Sequence, residues 1–168
     1  SAMTAHTVTP PPSAMLRRQH TRRHGRRSAA SASTRESVTI GPVPELPDIE
    51  LYLHALRPRL LHRTIVGVRV ATPFLVRTID PPVTALAGRT VTGLRRLGKR
   101  IVIDTGDIAA VLHLMIAGRL RWLPSGAATP KRIGLAAIDF EAGTLVVTEA
   151  GSTRRASLHM AYGSAGVA

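Results

Sequence analysis

Apolar and polar positions alternate in two different rhythms along this chain. Ile49, Leu53, Leu56 and Leu60 recur at steps of four, three and four, which is the stripe of an amphipathic helix. Pro47 suits the first turn of that helix, because its φ is already helical and its missing N–H needs no partner there. Asp48 and Glu50 put negative charge where the helix dipole favours it. Pro58 predicts that the regular part ends near Arg57. Beyond residue 63 the rhythm shortens. Thr64–Val70 alternates, with Val66, Val68 and Val70 on one face, and reads as a strand. Thr90–Leu94 and Arg100–Asp104 read as strands around a turn or bulge at Gly98. Thr105-Gly106-Asp107 is a tight turn, and Ala109–Trp122 reads as one long strand, apolar on both faces from Val111 to Ile116. Leu135–Phe140 and Thr144–Thr148 form a hairpin across Glu141-Ala142-Gly143, and a last strand covers Arg155–Ala161. The stretches from Thr72-Pro73 to Asp80-Pro81-Pro82 and from Pro124 to Pro130 read as loops. One leading helix followed by many short strands predicts a mainly β fold, a β-sandwich or barrel.

Composition adds partners and limits. Residues 1–42 lack a sustained apolar period and are rich in Pro, Ser, Ala and Arg, so they are expected to be a disordered basic tail. The folded domain is expected over 43–162, with a flexible end at 163–168. Net charge is +13, and it is not confined to the tail. Residues 1–43 hold seven arginines and one acid, whereas residues 44–168 hold sixteen Lys and Arg against nine acids. A folded part that is basic in its own right points to a polyanion, nucleic acid first. The chain has no cysteine, which excludes disulfides and thiolate metal sites. No pair of its seven histidines sits at metal-ligand spacing with partners nearby, so neither a metal nor a cofactor is expected. The apolar run from Ile108 to Gly118 is too short to span a bilayer, and no membrane partner is expected.

The string Pro44-Glu45-Leu46-Pro47-Asp48-Ile49-Glu50 resembles the start of the formamidopyrimidine-DNA glycosylase / endonuclease VIII family. The likeness runs from Pro44 to at least Gly118, and more loosely to about Tyr162. It covers that family's N-terminal domain, a β-sandwich carrying the leading helix. In the family the initiating Met is removed and the exposed proline is the nucleophile. Here Val43 precedes Pro44. A bacterial GUG start codon translated as internal would write valine at that place, so a start at residue 43 is the expectation. The tail is then upstream DNA translated in error, with a basic nucleic-acid arm and an Arg- and Ser-rich transit peptide as the competing readings.

The resemblance implies a bifunctional DNA glycosylase/AP lyase of base-excision repair, a monomer acting on damaged double-stranded DNA, bacterial, cytoplasmic and associated with the nucleoid. It implies that Pro44 attacks the sugar C1′ and forms an iminium. It gives Glu45 the adjacent acid/base role and Lys99 a place near the lesion phosphate. His113 matches a phosphate-contacting histidine, while Arg100, Arg154 and Arg155 join it as DNA-binding residues. The family fills the gap left by an everted nucleotide with a methionine, an arginine and an aromatic. Those positions fall on Ile116, Arg154 and Ala156. The family's helix-two-turn-helix and four-cysteine zinc-finger modules are expected to be absent, so the expectation is a truncated form with reduced or no activity. Two other readings stay open: a non-catalytic nucleic-acid-binding module, and an inactive gene fragment.

Overall fold

A computed structural model describes residues 45–163. Pro44, the tail at 1–42 and residues 164–168 lie outside the described residues. Helix α1 (Leu46–Leu60) is followed by eight strands: β1 (Ile65–Val70), β2 (Gly93–Leu97), β3 (Arg100–Asp104), β4 (Ile108–His113), β5 (Gly118–Leu123), β6 (Gly134–Phe140), β7 (Gly143–Glu149) and β8 (Ser157–Tyr162). They form two four-stranded antiparallel sheets, ordered β1-β6-β7-β5 and β2-β3-β4-β8. Ile101, Ile103, Ala110, Leu112, Leu158 and Met160 of one sheet share a core with Ile138, Phe140, Leu145 and Val147 of the other. The predicted sandwich with a leading helix is what forms.

Helix α1 buries Ile49, Leu53, Leu56 and Leu60, the residues of the sequence stripe, and packs over β2 and β3. It runs through Pro58 to Leu60 instead of ending near Arg57. A proline inside a helix costs about 3 kcal/mol. Burial of Leu56 and Leu60, at about 1.5–3 kcal/mol each, offsets that cost. The carbonyl that loses its partner belongs to His54, which faces solvent.

The predicted strand Ala109–Trp122 is two strands in different sheets. Between them, Leu114–Ala117 makes a turn closed by the Gly118 N–H donating to the Leu114 carbonyl at 3.0 Å. A Cβ on Gly118 would lie 2.2 Å from that carbonyl oxygen, so only glycine fits. Leu114 turns into the core while Ile116 stays half exposed. Met115 adopts φ 56°, a left-handed conformation uncommon for a side chain of its size. The first strand of the next hairpin also moves: β2 begins at Gly93 rather than Thr90, and Gly98, at φ 58°, is a turn residue. Two single-turn 3₁₀ helices, Pro73–Leu75 and Val83–Leu86, occupy the loop between β1 and β2.

Three outer strands have their free backbone groups taken. Residues 88–91 bond along the start of β1. On β8, Leu158 O accepts from the Arg77 N–H at 2.9 Å, and the Met160 N–H donates to the Thr78 hydroxyl at 3.2 Å. On β5, the Leu120 N–H donates to Tyr52 Oη at 3.3 Å. Burial pushes the Tyr52 phenol above its ordinary pKa, so it stays neutral in that role.

Candidate active site

Strand register decides which turns meet. Leu97 pairs with Arg100, Arg100 with His113, and His113 with Ser157. In the other sheet Gly118 pairs with Glu149. The Gly98-Lys99 turn, the Leu114–Ala117 turn and the loop from Ala150 to Ala156 therefore share one end of the sandwich, here the near end. The Thr105–Asp107 and Glu141-Ala142 turns lie at the far end.

The start of α1 is tied to the near end by two ion pairs. Lys99 Nζ lies 2.7 Å from Glu45 Oε2, and Arg96 Nε lies 2.6 Å from Glu50 Oε1. Glu45 is the N-cap residue, and its own N–H donates to Asp48 Oδ2 at 2.8 Å. Asp48 is therefore one arm of a capping box that fixes the Glu45 backbone. Residues 45 and 99 are fifty-four apart in sequence, and the hairpin brings them together. Both side chains are about half exposed, 47% for Lys99 and 58% for Glu45, so the pair is weak and free to exchange partners.

Arg100 and His113 are cross-strand neighbours at the same end. His113 is half-buried, and its pKa is held below the ordinary value near 6.5, first by burial and then by Arg100, His159 and Lys99. It is a neutral imidazole among cations, able to donate to or accept from a bound anion. Arg119, at the start of β5, donates from Nη1 to the Gly118 carbonyl at 2.8 Å. Arg121 lies two residues further from this end.

The loop after β7 holds the remaining candidates. Arg154 donates from Nη1 to Thr72 Oγ1 and from Nη2 to the Arg132 carbonyl, both at 2.8 Å. Arg155 is exposed. Among the described residues, Arg100, Arg154 and Arg155 pair with no carboxylate. Ala156 is buried at 4% exposure, so this position offers no surface to a DNA stack. Ile116 is exposed and can.

One residue of this end escapes sequence reasoning. Glu149, at the end of β7, is 1% exposed. Its two carboxylate oxygens accept the N–H groups of Arg155 (3.0 and 2.9 Å) and Ala156 (3.1 Å). A buried carboxylate needs such donors, and in taking them Glu149 closes the loop that carries Arg154 and Arg155. The available signal was an acid one residue beyond the apolar run Leu145–Val147, after Thr148 and before Ala150-Gly151-Ser152. Among the described residues no three His, Asp or Glu side chains converge as a metal site, and no helix is long and apolar enough to cross a membrane.

A family model, the formamidopyrimidine-DNA glycosylase N-terminal domain, matches residues 43–156. The chain belongs to the formamidopyrimidine-DNA glycosylase family. Among curated relatives, the Xanthomonas campestris pv. campestris formamidopyrimidine-DNA glycosylase is 41% identical over 92 residues, 54% of this chain and 33% of that protein. The Photobacterium damsela subsp. piscicida enzyme is 32% identical over 89 residues, again 53% and 33% of the two chains. The chain thus spans about one third of the length of these glycosylases. A Lactococcus lactis Fpg structure, solved with DNA containing an abasic site, matches the fold with TM-score 0.64 at 22% identity, over 70% of this chain and 44% of that one.

Proposed function

We propose that residues 44–162 form the catalytic half of a DNA glycosylase/AP lyase that removes oxidised bases in base-excision repair. The Lys99–Glu45 pair at 2.7 Å, next in the chain to Pro44, is the observation that carries this reading. With a free amine, Pro44 attacks C1′ and the glycosidic bond breaks. The base leaves with the bonding electrons. Glu45 takes up the proton that the proline nitrogen sheds on bonding C1′ and delivers it to the sugar ring oxygen as the ring opens, and the proline nitrogen becomes the iminium. Lys99 exchanges Glu45 for the lesion phosphate. Arg100, His113, Arg154 and Arg155 take up neighbouring phosphates, and Ile116 enters the space beside the everted nucleotide.

A second reading rests on Val43. In the chain as it stands, Pro44 N belongs to the tertiary amide of the Val43–Pro44 bond, and its lone pair is delocalised into the carbonyl. That form binds DNA but cannot make an iminium. Borohydride trapping on abasic DNA separates the two states. The full chain should give no covalent adduct, and a chain beginning at Pro44 should give one that Lys99→Ala weakens. An adduct from the intact chain, its mass verified, would overturn the proline assignment. No adduct from the shortened chain despite DNA binding would leave the binding module as the better description.

A further inference from the structure

We propose that Phe74 is a stacking platform for an unpaired nucleobase, set at the near end of the sandwich beside Arg154. The inference rests on the reading that this end binds DNA, and adds a surface that the catalytic residues do not supply. The chain has five aromatic residues. Tyr52 and Phe140 are buried, and Trp122 packs on Phe140 with ring centroids 5.9 Å apart. Tyr162 is exposed at the far end, its hydroxyl donating to Asp80. Phe74 is 78% exposed. Burying such a ring would yield about 1.5–3 kcal/mol, which the fold forgoes here.

The ring is exposed on a fixed support. Phe74 is the middle residue of the Pro73–Leu75 turn, and Leu75 beside it is buried. The Ala71 and Thr72 N–H groups both donate to the Leu135 carbonyl, at 2.9 and 3.1 Å, and the Leu75 N–H donates to the Thr72 carbonyl at 3.0 Å. Thr72, two residues before the ring, is also the residue whose hydroxyl accepts Arg154. Phe74 and Arg154 are thus held by one segment. Arg77, three residues after the ring, and Arg155, next to Arg154, are exposed, and neither pairs with a carboxylate among the described residues. An exposed aromatic framed by uncompensated cations fits a base with its phosphates better than an apolar protein surface, which would leave the cations desolvated. Ala156, buried under its loop, has no ring to offer, and Phe74 supplies one at the same end.

The test is binding of the full chain to two duplexes of one length, one fully paired and one with a single unpaired central base. Phe74→Ala should weaken binding to the second by about five- to a hundredfold, the span of base–aromatic stacking. Binding to the paired duplex and its salt dependence should not change. Phe74→Trp should restore the loss and Phe74→Leu should not. Equal loss on both duplexes, rescue by leucine, or no loss at all would overturn the stacking role. Arg154→Ala, run in parallel, tells the two readings apart. If it weakens both duplexes while Phe74→Ala does nothing, the DNA-binding end stands and the platform falls. If neither matters, the reading of this end falls with it.

Discussion

The two ends of the sandwich carry similar residues to opposite effect. Towards the far end three arginines are matched by acids. Arg89 pairs with Asp107, Arg95 Nε lies 3.0 Å from Asp104, and Arg69 Nε lies 2.7 Å from Asp139, whose other oxygen accepts the Thr144 hydroxyl. The turns there are short and polar. At the near end, Glu45 and Glu50 are engaged at the start of α1 and Glu149 is buried on backbone donors, so among the described residues Arg100, Arg154 and Arg155 are left without carboxylates. An apolar turn and a phenylalanine are exposed among them. Arginines thus sit in ion pairs at one end and stand on a charged, partly apolar surface at the other. The acids, rather than the bases, decide which end is which.

The comparison breaks most severely at Gly118. Any side chain there meets the Leu114 carbonyl, so Gly118→Val should cost roughly 3 kcal/mol or more and leave little folded protein, seen as a collapse of the denaturant midpoint. Next comes Glu149→Ala, which strands two buried N–H groups and should lower stability by about 2–3 kcal/mol. Glu149→Gln keeps an acceptor oxygen and should recover most of that. A DNA affinity that falls with Glu149→Ala even well below its melting temperature would mark the loop as preorganised by the carboxylate.

Charge removal then sharpens the contrast. Arg100→Ala and Arg155→Ala should each weaken DNA binding and lower the slope of log affinity against log salt by about one. Arg89→Ala, at the far end, should change neither. Equal effects at both ends in a salt titration would show that binding reflects net charge alone.

Acid should act on the two ends at different pH. The folded pKa of His113 is depressed, so the neutral form contributes stability above the ordinary value near 6.5, and this is lost as pH falls through the folded value. Asp139 is held low, first by the Arg69 hydrogen bond, and its contribution persists above the ordinary value of 3.8 and fades only in stronger acid. His113→Gln should therefore flatten the first loss and leave the second, in melting curves taken across pH. The smallest effect belongs to Lys99 and Glu45. Their pair is exposed, so Glu45→Gln should change stability by about 0–1 kcal/mol in thermal melts.

The sequence made some of this legible and hid the rest, for physical reasons. The stripe of α1 was readable because one face is buried and the period shows it, and the hairpin of β6 and β7, buried on both faces, because two apolar runs flank a turn at Glu141-Ala142-Gly143. The end of α1 was misjudged because Leu60, packed in the core, outweighs the local penalty at Pro58. The break between β4 and β5 was hidden because its turn is built from Leu114, Met115 and Ile116, with Met115 rather than a glycine in the left-handed position. A chain that crosses between two sheets through an apolar turn at one end looks like one uninterrupted apolar strand. The family resemblance set Lys99 near the lesion phosphate and did not foretell its partner in the fold, which is Glu45. Glu149 had only a weak local signal, since a buried carboxylate whose partners are backbone N–H groups requires no matching residue elsewhere in the sequence.

The covered strand edges described above bear on how this protein behaves in a crowd. An open strand edge is a template on which another chain can add itself, and proteins guard such edges. Here residues 88–91 shield β1, Arg77 and Thr78 shield β8, and on β5 a single phenol, Tyr52, reaches from the helix to occupy the Leu120 N–H. Two of these guards come from irregular segments that a count of helices and strands passes over. The loop between β1 and β2 is thus part of what keeps a basic, aliphatic sandwich from growing strand by strand into its neighbours.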